Sequence, residues 1–417
     1  MTQFVQFLGR RREWAESQER PEPGALHPLA RAAFAETGNS LAPARTRGSQ
    51  RFLQGGLSAP ITVTWEITAA CNLACVHCLS SSGKRRPREL TTEQALSLVD
   101  ELAAMQVFQI HFGGGEPFMY PGIWRVLERC RERELVMCVS TNGTLITPER
   151  ARRLAALEPI YFQVSLDGGT PETNDRIRGQ DAFRRAMRGL ERLAAEGLSL
   201  TVNSVLTRYS FPELDRLYAI ALSFGARLRV TRLRPSGRGQ TVWAELHPTR
   251  EQYRDFVAWL HEHPDVLTAD SFFHLNAFGE RLAGLDMCGA ATATCCICPE
   301  GEVYPCAFFQ TPEFEAGNLH EQSFQEIWRH SPVFAFYRQM GAGACGGCAR
   351  YDLCHGGCPA TKWFVQRSLR VPDPECVLTD DSARSEPGLR QVPSDSVPAA
   401  PPCSTLSTRA CALQEGV

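Results

Sequence analysis

The chain has no apolar run approaching the roughly 20 residues needed to cross a bilayer, which excludes an ordinary helical membrane protein. An early apolar segment is also missing: residues 1–9 lead straight into Arg10-Arg11-Arg12-Glu13, without the core of about 7–15 apolar residues of a signal peptide. Strong charge of one sign is absent as well. Forty-four Lys and Arg against 46 Asp and Glu give a net charge of −2, which offers no electrostatic case for nucleic acid or an anionic membrane as partner. With 43% hydrophobic and 22% charged residues, the composition is that of a globular protein. A length of 417 residues accommodates one large core plus an appended module, or two to three domains. What the chain has in excess is cysteine, seventeen in all. Without a signal segment, a disulfide framework is not expected; the expectation is a cytoplasmic protein whose reduced thiols are available to metal.

Residues 1–55 are rich in Arg, Pro, Ala and Gly and show no sustained alternation, so a mobile extension is expected there. From residue 61 a repeating pattern begins. Alternating apolar residues predict strands over 61–67, 108–112, 135–139, 160–166, 200–206 and 227–233. Helices are expected between them, over about 91–105, 123–134, from Thr147-Pro148, over 183–196 and from Pro212 to Gly225, with another over 249–263. Six strand–helix units in series predict an α/β fold, a partial (β/α)6 barrel of parallel strands, over residues 56–245. The conspicuous Gly and polar clusters all follow strands, which places them on the C-terminal rim, where such barrels carry their chemistry. Residues 246–285 read as a linker with a helix, 286–378 as a cysteine-rich domain, and 379–417, rich in Pro, Ser, Ala and Thr, as a disordered tail.

Directly after the first strand stand Cys71, Cys75 and Cys78, spaced C-x3-C-x2-C. Three thiolates can hold three irons of a 4Fe-4S cluster and leave the fourth open to a small ligand. Zinc is the competing reading, but a structural zinc site takes four protein ligands. After the second strand comes Gly113-Gly114-Gly115-Glu116-Pro117, where missing side chains let backbone approach a ligand. The two motifs together resemble the radical S-adenosylmethionine (SAM) enzymes. That resemblance implies SAM on the open iron, with Gly114, Gly115 and Glu116 contacting its amino group. It also implies Ser140, Asn142, Ser165 and Asp167 around the ribose or methionine moiety, and His77 packed near the adenine. Arg178 is a candidate partner of the SAM carboxylate, since a guanidinium grips a carboxylate bidentately.

A second cysteine constellation follows residue 285. Cys288, Gly301 and Cys306 fit C-x12-G-x4-C; Cys345, Cys348, Cys354 and Cys358 fit C-x2-C-x5-C-x3-C, and Cys376 follows. This pattern resembles the SPASM extension of peptide-modifying radical SAM enzymes. The resemblance implies two auxiliary 4Fe-4S clusters, three with the SAM cluster. Cys288, Cys306 and Cys358 would serve the first, with Cys295 as fourth ligand and Cys296 and Cys298 competing for that place; Cys345, Cys348, Cys354 and Cys376 would serve the second. Ala307 stands where sulfatase-maturing relatives have an aspartate base, which disfavours that activity. Cys130 and Cys138 read as small core residues, and Cys403 and Cys411 have no ligand spacing.

Residues 64–70 and 79–84, Arg232-Leu233-Arg234-Pro235-Ser236-Gly237-Arg238-Gly239, Asp270-Ser271-Phe272-Phe273-His274-Leu275 and Pro372-Asp373-Pro374-Glu375-Cys376-Val377 resemble the mycofactocin radical SAM maturases. That likeness implies a ribosomal precursor peptide ending in Val-Tyr, whose C-terminal tyrosine is oxidatively decarboxylated and then joined by a carbon–carbon crosslink to valine, closing a lactam. Implied partners are a small peptide-binding chaperone and a flavodoxin- or ferredoxin-type electron donor. The alternatives are another precursor, such as that of a quinone cofactor, a tetrapyrrole substrate, or a non-catalytic zinc scaffold.

Overall fold

The computed structural model describes residues 57–378 apart from 269–271, 283, 286–287, 339 and 341–342. The expected N-terminal extension and C-terminal tail, the latter with Cys403 and Cys411, lie outside the described residues.

Six strands form where the alternation predicts them: β1 (Thr62–Thr68), β2 (Gln109–Gly114), β3 (Val136–Thr141), β4 (Ile160–Ser165), β5 (Ser199–Leu206) and β6 (Arg227–Arg232). Sequential neighbours pair in parallel throughout. The helix Thr92–Ala104 starts on a reciprocal cap between Thr91 and Gln94 and buries Ala95, Leu98, Val99 and Leu102, one apolar stripe at helical spacing. Thr147 caps the helix Pro148–Ala155 one-sidedly, its hydroxyl accepting from Arg150 N–H, with proline at the first helical position.

In the barrel region two helices have no counterpart in the sequence pattern, Pro171–Arg178 and Gly239–Leu246, and the cysteine-rich region adds Phe324–His330, Pro332–Arg338, Tyr351–Cys354 and Pro359–Gln366, which were not expected either. The first escapes because two of its three buried residues, Asn174 and Arg178, are polar and leave no apolar stripe to read.

Alternate residues of each strand face opposite ways. One set, including Val63, Trp65, Phe112, Val139, Phe162, Val202 and Val230, packs with the helices in the main core. The other set is polar and bonds strand to strand. His111 Nε2 meets Ser140 Oγ at 2.7 Å, Gln163 Nε2 meets His111 at 3.1 Å, and Arg229 Nη1 donates to Gln163 Oε1 at 2.8 Å. The apolar half of the alternation carries the folding signal, while the polar half builds the inner wall.

The sheet does not end at β1. A seventh strand, β7 (Thr294–Ile297), adds in parallel to its free edge, and β8 (Glu302–Tyr304) and β9 (Gly317–Asn318) continue antiparallel. The cysteine-rich region therefore starts as an extension of the barrel sheet, and both belong to one compact unit running to Thr379. Among the described residues no helix is long and apolar enough to cross a membrane.

Candidate functional site

Past the end of β1, Ala70 bridges to Gly83 and closes a loop holding Cys71, Cys75 and Cys78. The loop is pinned from several sides. Val76 N–H donates to Ile177 O at 3.0 Å, Arg238 Nε to Cys75 O at 2.8 Å, Arg238 Nη1 to Ser82 O at 2.8 Å, and Arg238 N–H to Cys78 O at 2.9 Å. Burial pushes the Cys71 thiol up to about 11, with Glu116, Cys75 and Cys78 adding to the rise. Burial raises the Cys75 thiol as well, and neighbouring thiols held in their neutral form are donors that need a bound cation's charge to become thiolates. That matches an iron–sulfur cluster.

The glycines of the second motif are required by β1. A Cβ on Gly115 would lie 2.1 Å from Ala70 O, and one on Gly114, whose φ is +100°, would lie 2.7 Å from Thr68 O. Only Gly113 faces open space. Close approach lets Gly115 N–H donate to Thr68 O and Glu116 N–H to Ala70 O, both at 2.8 Å. Glu116 is fully buried. It accepts from Thr141 Oγ1 and from Asn142 N–H, both at 2.8 Å. Burial raises its carboxyl to about 7. Asn142 in turn donates through Nδ2 to Asn72 Oδ1 at 2.9 Å and reaches Cys71 Sγ at 3.9 Å. The second motif thus supports the cysteine loop as well as lining the space beside it.

Asp167 is the other hub. Its Oδ2 lies 2.6 Å from His77 Nε2 and 2.7 Å from Arg178 Nε, and its Oδ1 accepts from Val205 N–H at 2.8 Å. Burial alone would raise this carboxyl, but Arg178 and His77 hold it well below the usual carboxylate range. Arg178 also brings its carbonyl to Cys75 Sγ at 4.0 Å. His77, Asp167 and Arg178, expected to meet different parts of SAM, are therefore bonded to one another beside the cluster loop. Ser140 is held by His111, and Ser165 sits in register with Asn203 at the end of β4.

Cys288, Cys306 and Cys358 converge beside Tyr337: all three are among the neighbours that, after burial, raise its phenol. Arg234 Nη1 lies 3.9 Å from Cys358 Sγ. The register of β7 divides the remaining cysteines. Cys295 lies opposite Val63, on the face of the main core, and Arg338 is the charged neighbour of its thiol. Cys296 lies opposite Thr64, on the inner face, packs with Cys298 and Tyr304, and has Cys306 and Glu66 among its charged neighbours. Cys295, expected as fourth ligand, is thus turned to the other side of the strand from Cys296. Cys345, Cys348, Cys354 and Cys376 line one pocket with Gly356, Gly357 and Asp373.

Several residues of the site carried no sequence signal. Gln310 Nε2 donates to Glu66 Oε1 at 2.7 Å and reaches Cys296 Sγ at 3.8 Å, linking β1 to the cysteine-rich region. Burial raises Glu66 to about 7 against the lowering by Gln310. Arg238 stands within a run that carried the family likeness, but its grip on the loop is a matter of tertiary geometry.

Comparison with known proteins agrees with this architecture. Residues 65–218 match the family model of the Radical SAM superfamily, and residues 288–359 match that of the SPASM iron-sulfur cluster-binding domain. Fold and site together define a radical SAM enzyme with a SPASM extension, which binds SAM and a 4Fe-4S cluster in the barrel and further iron–sulfur in the extension. Over 340 residues the chain is 50% identical to mycofactocin maturase MftC of Mycobacterium tuberculosis, covering 80% of this chain and 86% of that one. The chain belongs to the mycofactocin maturase family. An AdoMet-dependent heme synthase of Methanosarcina barkeri is 30% identical, covering 77% and 97% of the two chains. Among solved structures, Streptococcus suis SuiB bound to S-adenosylmethionine shares the fold, with a TM-score of 0.66, 19% identity and coverage of 84% and 86%.

Proposed function

We propose that this chain oxidatively decarboxylates the C-terminal tyrosine of a ribosomal precursor peptide ending in Val-Tyr, and then forms the Val–Tyr carbon–carbon bond that closes a lactam. The observation that carries the reading is 50% identity to a mycofactocin maturase across both the barrel and the cysteine-rich region. It is supported by a three-cysteine loop clamped at the barrel rim and four further cysteines gathered in one pocket. The full cofactor set in this reading is SAM and three 4Fe-4S clusters. Cys71, Cys75 and Cys78 would hold the cluster that, once reduced, would supply the electron for SAM cleavage and so the radical that takes hydrogen from the substrate.

The protein's own contribution is placement. Arg238, Asn142 and the backbone of Ile177 fix the loop that holds the open iron. Gly113, with nothing near its missing Cβ, leaves space beside that iron, and Glu116, Ser140, Asn142, Ser165, Asp167 and Arg178 surround or brace the space that SAM occupies. Glu66 lies on the inner face toward the auxiliary cysteines and can hold a proton near neutral pH. In the first auxiliary set Cys288, Cys306 and Cys358 are joined by Cys296 in preference to Cys295, because Cys296 is the one on the inner face with Cys306 among its neighbours. Clusters held by the two auxiliary sets would offer an acceptor for the electron released by tyrosine oxidation. A small peptide-binding chaperone delivers the precursor, and a flavodoxin- or ferredoxin-type protein in the cytoplasm supplies electrons.

The test is anaerobic incubation of the enzyme with precursor, chaperone, SAM and reductant, followed by mass spectrometry. The expected product has lost carbon dioxide and two hydrogens. Unchanged peptide alongside active SAM cleavage would refute the substrate but keep the radical chemistry. Replacement of Cys71, Cys75 or Cys78 by alanine abolishes SAM cleavage, and retained cleavage would refute the assignment of the loop.

A further inference from the structure

Asp373 is buried in the segment that leads to Cys376, and its bonds reach both auxiliary cysteine sets. Its Oδ2 accepts from the Cys358 N–H at 2.8 Å, while its carbonyl accepts from the Cys376 N–H at 2.8 Å. Cys358 stands in the first set and Cys376 in the second. The same carboxylate lines the pocket of the second set. Contact is close enough to dictate a neighbour: a Cβ on Gly357 would lie 2.3 Å from the Asp373 Cβ. Behind Asp373 stands Arg232, the last residue of β6, which is fully buried. Its Nη1 and Nη2 grip the two Asp373 oxygens at 2.9 and 2.6 Å, and its Nε donates to Glu375 Oε2 at 2.6 Å. Tyr253 closes the group with a short hydrogen bond to Glu375.

A fully desolvated ion group of this kind adds little net stability compared with apolar packing, but breaking it is costly. What it does provide is a fixed charge at a fixed place. Amide hydrogen bonds and nearby charge are among the factors that set iron–sulfur reduction potentials. We propose that Asp373 is a bridge, anchored to the barrel by Arg232, that holds the two auxiliary cysteine sets in one frame and couples the reduction potentials of the clusters they bind. The inference rests on the reading that both sets bind clusters. A positioning role of this sort differs from that of a ligand, since the Asp373 carboxylate acts through the Cys358 amide and through its charge beside the second set, whose Cys376 amide is held by the Asp373 main-chain carbonyl.

The experiment is EPR-monitored redox titration of the anaerobically reconstituted full chain, wild type against Asp373→Asn, with iron and sulfide counted on each. The wild type should carry three clusters; a lower count would refute the cluster reading itself, independently of the bridge. In Asp373→Asn the lost negative charge leaves Arg232 less compensated, so both auxiliary potentials should rise. The expected size is about tenfold in the one-electron equilibrium constant, or about 59 mV. The SAM-cluster potential and SAM binding should not move. A shift in one auxiliary cluster alone, or in neither, overturns the bridge. If Asp373→Asn loses SAM binding, and so the fold, Gly357→Ala serves in its place. That variant displaces the carboxylate without changing charge, and must shift both auxiliary signals together if the bridge exists; a change at one site or none overturns it.

Discussion

The Asp167 carboxylate meets the Arg178 guanidinium at 2.7 Å, Oδ2 to Nε, with both side chains buried and His77 on the same oxygen at 2.6 Å. The two arms arrive from different places, His77 from within the cysteine loop and Arg178 from the end of the helix Pro171–Arg178. Replacing Asp167 by alanine leaves a buried guanidinium uncompensated, at a cost of about 3–5 kcal/mol. Because the folded carboxyl is held below its ordinary range, its contribution is complete above about pH 4 and is lost as acid takes the pH down toward the folded value. Thermal unfolding of the variant should show a drop in Tm together with weaker SAM binding; an unchanged Tm would contradict the hub role.

Gly115→Ala would place a Cβ 2.1 Å from Ala70 O. The neighbour is backbone and cannot rotate away, so β1 and β2 must part where they present the cysteine loop. A loss of about 1–3 kcal/mol, as for overpacking, and a large loss of SAM affinity are expected. Gly113→Ala, with no atom within reach of the added methyl, should keep the stability of the parent. Calorimetry and SAM titration of the pair separate packing from ligand space.

Cys295 and Cys296 differ in the face they present. Cys296→Ala should remove about one cluster's iron while leaving SAM cleavage in place, and Cys295→Ala should keep the full iron count while losing packing stability. The reverse pattern in metal analysis would make Cys295 the ligand.

Glu116 supplies a pH test. Burial raises its carboxyl from 4.5 to about 7. Its neutral form is therefore favoured on folding, and the contribution is complete below about pH 4.5 and lost as the pH rises through about 7. Stability of the parent relative to Glu116→Gln should fall over that window, by on the order of 1.4 kcal/mol per pH unit. Parallel stability curves for the two proteins between pH 5 and about pH 7.5 would show that burial does not control this group.

The legible part of the site was the part carried by short-range pattern. C-x3-C-x2-C can hold an open cluster on one loop because the three thiols need little chain between them, and the apolar alternation of six strands specifies a parallel sheet because each strand must bury a face. That pattern also located the glycine motif on the correct rim. It missed the helix Pro171–Arg178, whose buried face is mostly polar, and it missed β7 as part of the barrel sheet, since a four-residue strand has no period long enough to read.

By itself the sequence determined the fold class, the two cysteine constellations and the rim on which the first of them stands, because each follows from local spacing and hydrophobic period. Only the tertiary structure decided that Asp167 is bonded to His77 and Arg178, that Gly114 and Gly115 are required by the approach of β1, that Cys295 and Cys296 face opposite sides, and that Asp373 joins Cys358 to Arg232. Several of those choices join residues far apart in the chain, 90 positions for His77 and Asp167 and 141 for Arg232 and Asp373, where a hydrogen bond is set by the packed geometry of whole elements and leaves no period in the chain.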